Sequence, residues 1–186
     1  MNLKNILIGC LLLFFNSTAQ AADTIYLYKG SFSRSIKIKE LNNFKRTKIA
    51  DSKLKNLIKI TNQNEEELYK ILSYEVDMPI TASSKLLNSK IGEVFLSRLT
   101  QIIHPYRISN KEVNTKAIRS GIILSSYKNN QKINLIEFFK AYPNQNIAIN
   151  LNALNKTLRK VESLKDLVEF YSNSPFKKLK EGRSSI

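Results

Sequence analysis

The sequence predicts an α+β fold, mainly α, with six to eight helices and a small two- or three-stranded sheet. Three observations carry this. Residues alternate with period two on both sides of Gly30, the pattern of an N-terminal β-hairpin. A third alternating stretch lies near 146–150. Nearly everything else repeats apolar residues at spacings of three and four, the signature of helices with one buried face.

In chain order, Ile25 and Leu27 alternate with Tyr26 and Tyr28 over Thr24 to Tyr28, and Ile36 and Ile38 with Lys37 and Lys39 over Ser35 to Lys39. Gly30 lies between them in a slightly long turn. Glu40 to Phe44 makes one or two helical turns. Asp51 is a good N-cap for a helix burying Leu54, Leu57 and Ile58. Asn64 with Glu67 starts the next helix, with three acids in its first turn and Leu68, Ile71 and Leu72 inward. Pro79 breaks the chain, and Thr81 or Ser83 caps a short helix holding Leu86 and Leu87. The clearest stripe follows: Ile91, Val94, Phe95, Leu99, Ile102 and Ile103, ending before Pro105. Val113, Ala117, Gly121 and Leu124 make another, flanked by Ile118, Ile122 and Ile123. Asn134 with Glu137 caps a helix holding Leu135, Phe138, Phe139 and Tyr142. After the turn Pro143-Asn144-Gln145, Ile147 and Ile149 alternate in the third strand, which should pair with the hairpin because two strands alone are marginal. Leu151, Leu154, Leu158, Val161, Leu164, Leu167 and Tyr171 then line a helix of about twenty residues, with Glu162–Lys165 and Lys165–Glu169 pairs outside. These stripes read as core, not as ligand grooves.

Residues 1–21 have the three-part layout of a secretory signal peptide: Lys4, an apolar run from Ile6 to Phe15, and the small residues of Ala19-Gln20-Ala21. That run, of about ten residues, is too short to span a bilayer as a helix. We expect cleavage after Ala21 and export to the periplasm, the thylakoid lumen or the medium. The competing reading is a lipobox, Leu7-Ile8-Gly9-Cys10, with Cys10 acylated. Against it, the apolar run continues five residues past Cys10 and too few precede it. Cys10 is the only cysteine, so a trimmed chain has no thiol for a disulfide, metal or nucleophile. The expected organisation is a leader over 1–21, one domain over 22–172 and a basic tail over 173–186. A domain of that size buries roughly 70% of its unfolded surface.

The net charge is +15, and the leader accounts for one lysine of it. Such a field favours anionic partners. Abundant Lys, Asn and Ile also fit an AT-rich coding bias, and Lys outnumbers Arg 23 to 7 although bidentate phosphate recognition prefers Arg. Export argues against nucleic acid. The charge is uneven: ten basic residues fall between Lys29 and Lys59, against Glu40 and Asp51. Lys37, Lys39, Lys45, Arg46, Lys48, Lys53, Lys55 and Lys59 are the candidate anionic contacts, with Lys177, Lys178, Lys180 and Arg183 as a second cluster.

Motifs for catalysis are missing. No Gly-x-Ser-x-Gly elbow occurs, and the glycines after the leader are too scattered for a phosphate loop. One histidine, His104, leaves little for a zinc site or a triad. Its place before Pro105 suggests an imidazole that caps helix carbonyls. Glu65-Glu66-Glu67 is an ordinary acidic first turn. Glu75 and Asp77, two apart in an extended stretch, would point to one side of a strand. Two carboxylates can support glycoside hydrolysis at a separation set by the fold, and exposed solvation is the default reading. Tyr26, Tyr28, Tyr127 and Tyr142 could form a carbohydrate-stacking surface. No metal or cofactor is expected.

The order of certain residues resembles a known family, the cyanobacterial domain of unknown function usually found as the N-terminal part of secreted alpha/beta hydrolases. The matching elements begin with Ile25-Tyr26-Leu27-Tyr28-x-Gly30, Arg34-Ser35-Ile36 and Leu41-x-x-Phe44. They continue through Ser84-Lys85-Leu86-Leu87, Ile91-Gly92-Glu93-x-Phe95-Leu96-x-Arg98-Leu99 and Ala117-Ile118-Arg119. Leu135-Ile136-x-Phe138-x-x-x-Tyr142-Pro143 and Ile147-x-Ile149-Asn150 close the series. Members often have a glycine after the Leu-x-x-Phe helix where Lys48 stands here, and an Ala-rich helix after Arg119 is also missing. The resemblance implies export and a domain whose own activity is unassigned. It carries over no catalytic residue, because the hydrolase motifs do not occur in this sequence.

The expected function is therefore an exported, non-catalytic binding or interaction module, with an anionic membrane surface, a lipid-like ligand or a partner protein as its contact. The alternatives are a hydrolase of unfamiliar type using Glu75 or Asp77, and a structural envelope protein.

Overall fold

The hairpin forms as two six-residue strands, β1 (Thr24–Lys29) and β2 (Phe32–Lys37). Lys29 pairs with Phe32, so the turn holds only Gly30 and Ser31 and is tighter than expected. Gly30 has φ 59° at the first central position, where glycine is strongly preferred in a two-residue hairpin turn. The second strand begins and ends earlier than its alternation suggested, because Ile38 and Lys39 already belong to the first helix.

The computed structural model describes residues 21–61 and 63–158. Its helices are α1 (Ile38–Thr47), α2 (Ser52–Thr61), α3 (Glu65–Ser73), α4 (Ile80–Leu87), α5 (Lys90–Ile102), α6 (Lys111–Lys128), α7 (Leu135–Ala141) and α8 (Leu151–Leu158). The remaining strands are β3 (Val76–Asp77), β4 (Ile103–Pro105), β5 (Lys132–Ile133) and β6 (Asn146–Asn150). The expected leader, the part of the expected C-terminal helix that falls beyond Leu158 and the expected basic tail lie outside the described residues.

The main sheet has the order β2-β1-β6-β4. β1 is antiparallel to β2 and parallel to β6, and β6 is antiparallel to β4. The third strand thus pairs with the hairpin as expected, and the parallel pairing needs a long crossover, which α1 to α7 supply. β4 is an addition to the expected sheet: Pro105 reads as a helix stop, yet its lack of an N–H is harmless at a sheet edge. Ile25, Ile36 and Ile147 are at most 2% exposed on the inner face and form the base of the core.

Helix starts follow the sequence closely. The Asp51 carboxylate accepts from Leu54 N at 2.7 Å, Asn64 Oδ1 from Glu67 N at 2.8 Å and Asn134 Oδ1 from Glu137 N at 3.0 Å. α4 departs: neither Thr81 nor Ser83 caps it. Both lie inside the helix, and the Ser83 hydroxyl donates back to the Pro79 carbonyl at 2.7 Å.

The largest correction concerns α5. Ile91 and Val94 are 69% and 55% exposed, while Gly92, Leu96, Thr100 and Ile102 are buried. The cause is the corner between α4 and α5, where Gly92 lies directly against the backbone of Leu86 and Leu87. That approach turns the face around Gly92, Leu96 and Thr100 inward, and Thr100 satisfies its hydroxyl on the Ser97 carbonyl at 2.8 Å. On α6, Val113 is exposed and Leu124 half-buried, whereas Asn114, Ala117, Ile118, Gly121, Ile122, Ser125 and Ser126 face inward. Arg119 Nε donates to the Leu87 carbonyl at 3.1 Å and so ties α6 to the end of α4.

Candidate functional site

The cations singled out in the sequence lie on α1, on α2 and along their connection. Apolar positions 38, 41 and 44 of α1 and 54, 57 and 58 of α2 are buried, which leaves the charged positions outward. Lys37, Lys39, Arg46, Lys48, Lys53, Lys55 and Lys59 are exposed and Lys45 is half-buried. Their partners differ. Lys37 reaches Asp23 at 3.7 Å and Lys53 reaches Glu40 at 3.5 Å. Lys48 lies over the Tyr69 ring, 4.4 Å from its centroid. Among the described residues, Lys39, Lys45, Arg46, Lys55 and Lys59 have no acidic partner. Nearby acids are otherwise engaged: Glu40 also accepts from Lys37 N at 2.9 Å, and Asp51 caps α2. Ala21, the expected cleavage residue, is exposed at the edge of the described region.

Lys48 has φ 58° at the C-terminal cap of α1, and its N–H bonds to the Phe44 carbonyl at 2.8 Å. Left-handed caps favour glycine. Here a lysine takes that conformation.

A second feature is the outer face of the sheet. Register places Ser35, Tyr26, Ala148 and His104 in one row, with Ser33, Tyr28 and Asn150 in the next. Tyr26 reaches over β6 and stacks on Tyr106, with centroids 4.0 Å apart and planes 13° apart. Tyr28 crosses the same strand to His104, its hydroxyl 2.9 Å from Nε2. His104 Nδ1 is 3.0 Å from the Pro105 carbonyl, which can only accept, so Nδ1 carries a proton; in the neutral imidazole Nε2 then accepts from Tyr28. The two pairs roof over Ala148, which is 1% exposed although it points away from the core. His104 is thus a sheet residue bonded to a tyrosine and does not cap α5, because the chain enters β4 as soon as the helix ends.

The tyrosines expected to share a surface are separated. Tyr26 and Tyr28 lie together, Tyr127 stands 70% exposed on α6, and Tyr142 is wholly buried. Tyr106 completes the aromatic roof and was hidden in the sequence because nothing there marks β4. Burial pushes the Tyr142 phenol well above its ordinary range, and its hydroxyl has no hydrogen-bond partner among the described residues. Removing an unpartnered buried hydroxyl relieves its desolvation. Tyr142→Phe should leave stability unchanged or raise it by up to about 1 kcal/mol, checked by urea unfolding.

The two carboxylates have separate surroundings. Glu75 accepts from Asn134 Nδ2 at 3.0 Å, while Asp77 is exposed on β3 opposite Lys132. Asn134 thereby caps α7 with its oxygen and holds Glu75 with its nitrogen. Losing both bonds in Asn134→Ala should cost about 1–2 kcal/mol in thermal or urea unfolding. Glu75→Gln keeps an acceptor and should cost less than about 0.5 kcal/mol.

No group of three or more His, Cys, Asp or Glu among the described residues could hold a metal ion, and none of the described helices is long and apolar enough to cross a membrane. A shallow groove of about 250 Å³ lies between α6 and the ends of β4 and α7, lined by Pro105, Ile108, Val113, Ala117 and Pro143 and edged by Lys116.

These features define a class: a mainly helical α+β domain with a mixed four-stranded sheet, whose single imidazole is held by a tyrosine and a backbone carbonyl. The chain belongs to the family described as alpha/beta hydrolase of unknown function (DUF1400), whose model matches residues 21–150. No curated protein and no solved structure matches it. The family expected from the resemblance is therefore the family found. It links the domain to alpha/beta hydrolases and assigns it no activity.

Proposed function

We propose that this chain is an exported, non-catalytic binding module that meets an anionic partner through the outer surface of α1 and α2. One observation carries the reading: Lys39, Lys45, Arg46, Lys55 and Lys59 crowd two consecutive helices without an acidic partner among the described residues. A structural helix surface usually interleaves both signs, as α3 does with Glu66–Lys70 and α6 with Glu112–Lys116. An unneutralised run of one sign attracts the opposite charge over about a Debye length.

Export rests on the leader over 1–21, and mass spectrometry of the secreted chain reads it. A chain starting at Ala22 supports cleavage after Ala21; a chain starting at an acylated Cys10 overturns it. The non-catalytic part is supported by the identity of the His104 partners: Nε2 faces a tyrosine hydroxyl, not a serine, and Nδ1 faces a backbone carbonyl, not a carboxylate. Ester or glycoside turnover abolished by Glu75→Gln would favour the hydrolase alternative.

The binding claim is tested by salt. Affinity for dextran sulfate, a soluble polyanion, should fall steeply as ionic strength rises. Affinity that stays constant from low to high salt contradicts it.

A further inference from the structure

The same surface exposes apolar side chains as well as cations. Ile49 is 72% exposed, the highest value among the large apolar residues described. It stands in the connection between α1 and α2, directly after Lys48. The backbone on both sides of it is fixed. Lys48 takes its left-handed conformation, Ile49 N donates to Thr47 Oγ1 at 3.2 Å, and Ala50 is 4% exposed in the core. The isoleucine is thus held outward by a constrained turn, and its neighbour adopts a conformation that a lysine rarely takes. At the other end of α2, Ile60 is 47% exposed beside Lys59. It lies seven residues from Lys53, which places both on one stripe of the helix.

Isolated exposed apolar residues are common and need no explanation. A fixed apolar tip flanked by cations without acidic partners is a more specific arrangement. It matches a surface that is anionic outside and apolar a few ångströms deeper. The geometry points to an acidic lipid bilayer as the partner of this surface, with Ile49 entering the boundary between headgroups and acyl chains. Lys45, Arg46, Lys55 and Lys59 then rest against the lipid phosphates. This rests on the anionic-partner reading and narrows it to one class. A soluble polyanion would satisfy the cations equally and leave Ile49 in water.

The chain contains no tryptophan, so Ile49→Trp introduces the sole indole. The secreted chain, without residues 1–21, is mixed with phosphatidylcholine vesicles, with or without phosphatidylglycerol, some carrying brominated acyl chains. Indole emission should move to the blue, and bromine should quench it, only when phosphatidylglycerol is present. In parallel, Ile49→Ser should lower partitioning onto acidic vesicles about tenfold and leave dextran sulfate binding unchanged. Two results overturn the bilayer assignment and spare the anionic reading. One is indole emission unaltered on vesicles that the parent chain binds; the other is Ile49→Ser partitioning as the parent does. A parent chain that binds neither dextran sulfate nor acidic vesicles removes both.

Discussion

Gly92→Ala is expected to lower unfolding stability by about 3 kcal/mol or more, or to prevent folding at growth temperature. A Cβ added at Gly92 would lie 2.0 Å from the Leu86 carbonyl oxygen and 2.7 Å from the Leu87 Cα. Both atoms are backbone, so no side chain can rotate away, and α4 and α5 would have to separate. That separation also disturbs two bonds at the corner, Ser89 Oγ to the Leu86 carbonyl at 2.6 Å and Arg119 Nε to the Leu87 carbonyl at 3.1 Å. In a domain of this size the loss corresponds to roughly 10 °C in melting temperature. Gly30→Ala is the control. An added Cβ there meets nothing within 4 Å, so only the positive φ opposes it, at about 1 kcal/mol. Urea unfolding of the two variants separates close approach from backbone conformation. Equal losses would mean that the helix corner is not held as described.

The second large effect is on binding. Changing Lys45, Arg46, Lys55 and Lys59 together to glutamine should weaken association with acidic vesicles about 1000-fold at low salt. Each cation near such a surface contributes about 1 kcal/mol, and four of them give about three powers of ten. Stability should move little, because Arg46, Lys55 and Lys59 are exposed and glutamine retains much of the aliphatic stem of half-buried Lys45. Far-UV circular dichroism and urea unfolding check the fold, and vesicle sedimentation checks the binding.

The regular elements were legible in the sequence because their signals are local. Asp51, Asn64 and Asn134 announce helix starts by side-chain chemistry, and the alternation around Gly30 and at Ile147 and Ile149 marks strands. What could not be read depends on atoms distant in the chain. The inward face of α5 is set by Gly92 meeting the α4 backbone, so the more apolar Ile91 and Val94 are left outside. β4 exists because Ile103 and Pro105 find Ile149 and Ile147 on β6, and nothing within residues 103–105 signals it. The roof over Ala148 joins Tyr26 and Tyr28 to residues about eighty positions away, and the small residue beneath it looks unremarkable in sequence. Seven of the eight candidate cations are exposed and Lys45 is half-buried. Which of them pair with Asp23, Glu40 or Tyr69, and which are left over, is a property of the folded chain.

The proposed site requires that the location of positive charge on α1 and α2 matter, beyond its total. The most direct measurement compares two variants of identical net charge on acidic vesicles. One has Lys45, Arg46, Lys55 and Lys59 changed to glutamine; the other has Lys85, Lys90, Lys111 and Lys128 so changed. The first should lose about three powers of ten in affinity and the second less than about one. Equal losses would show that the vesicles respond to overall charge alone, and the α1–α2 surface would cease to be a site.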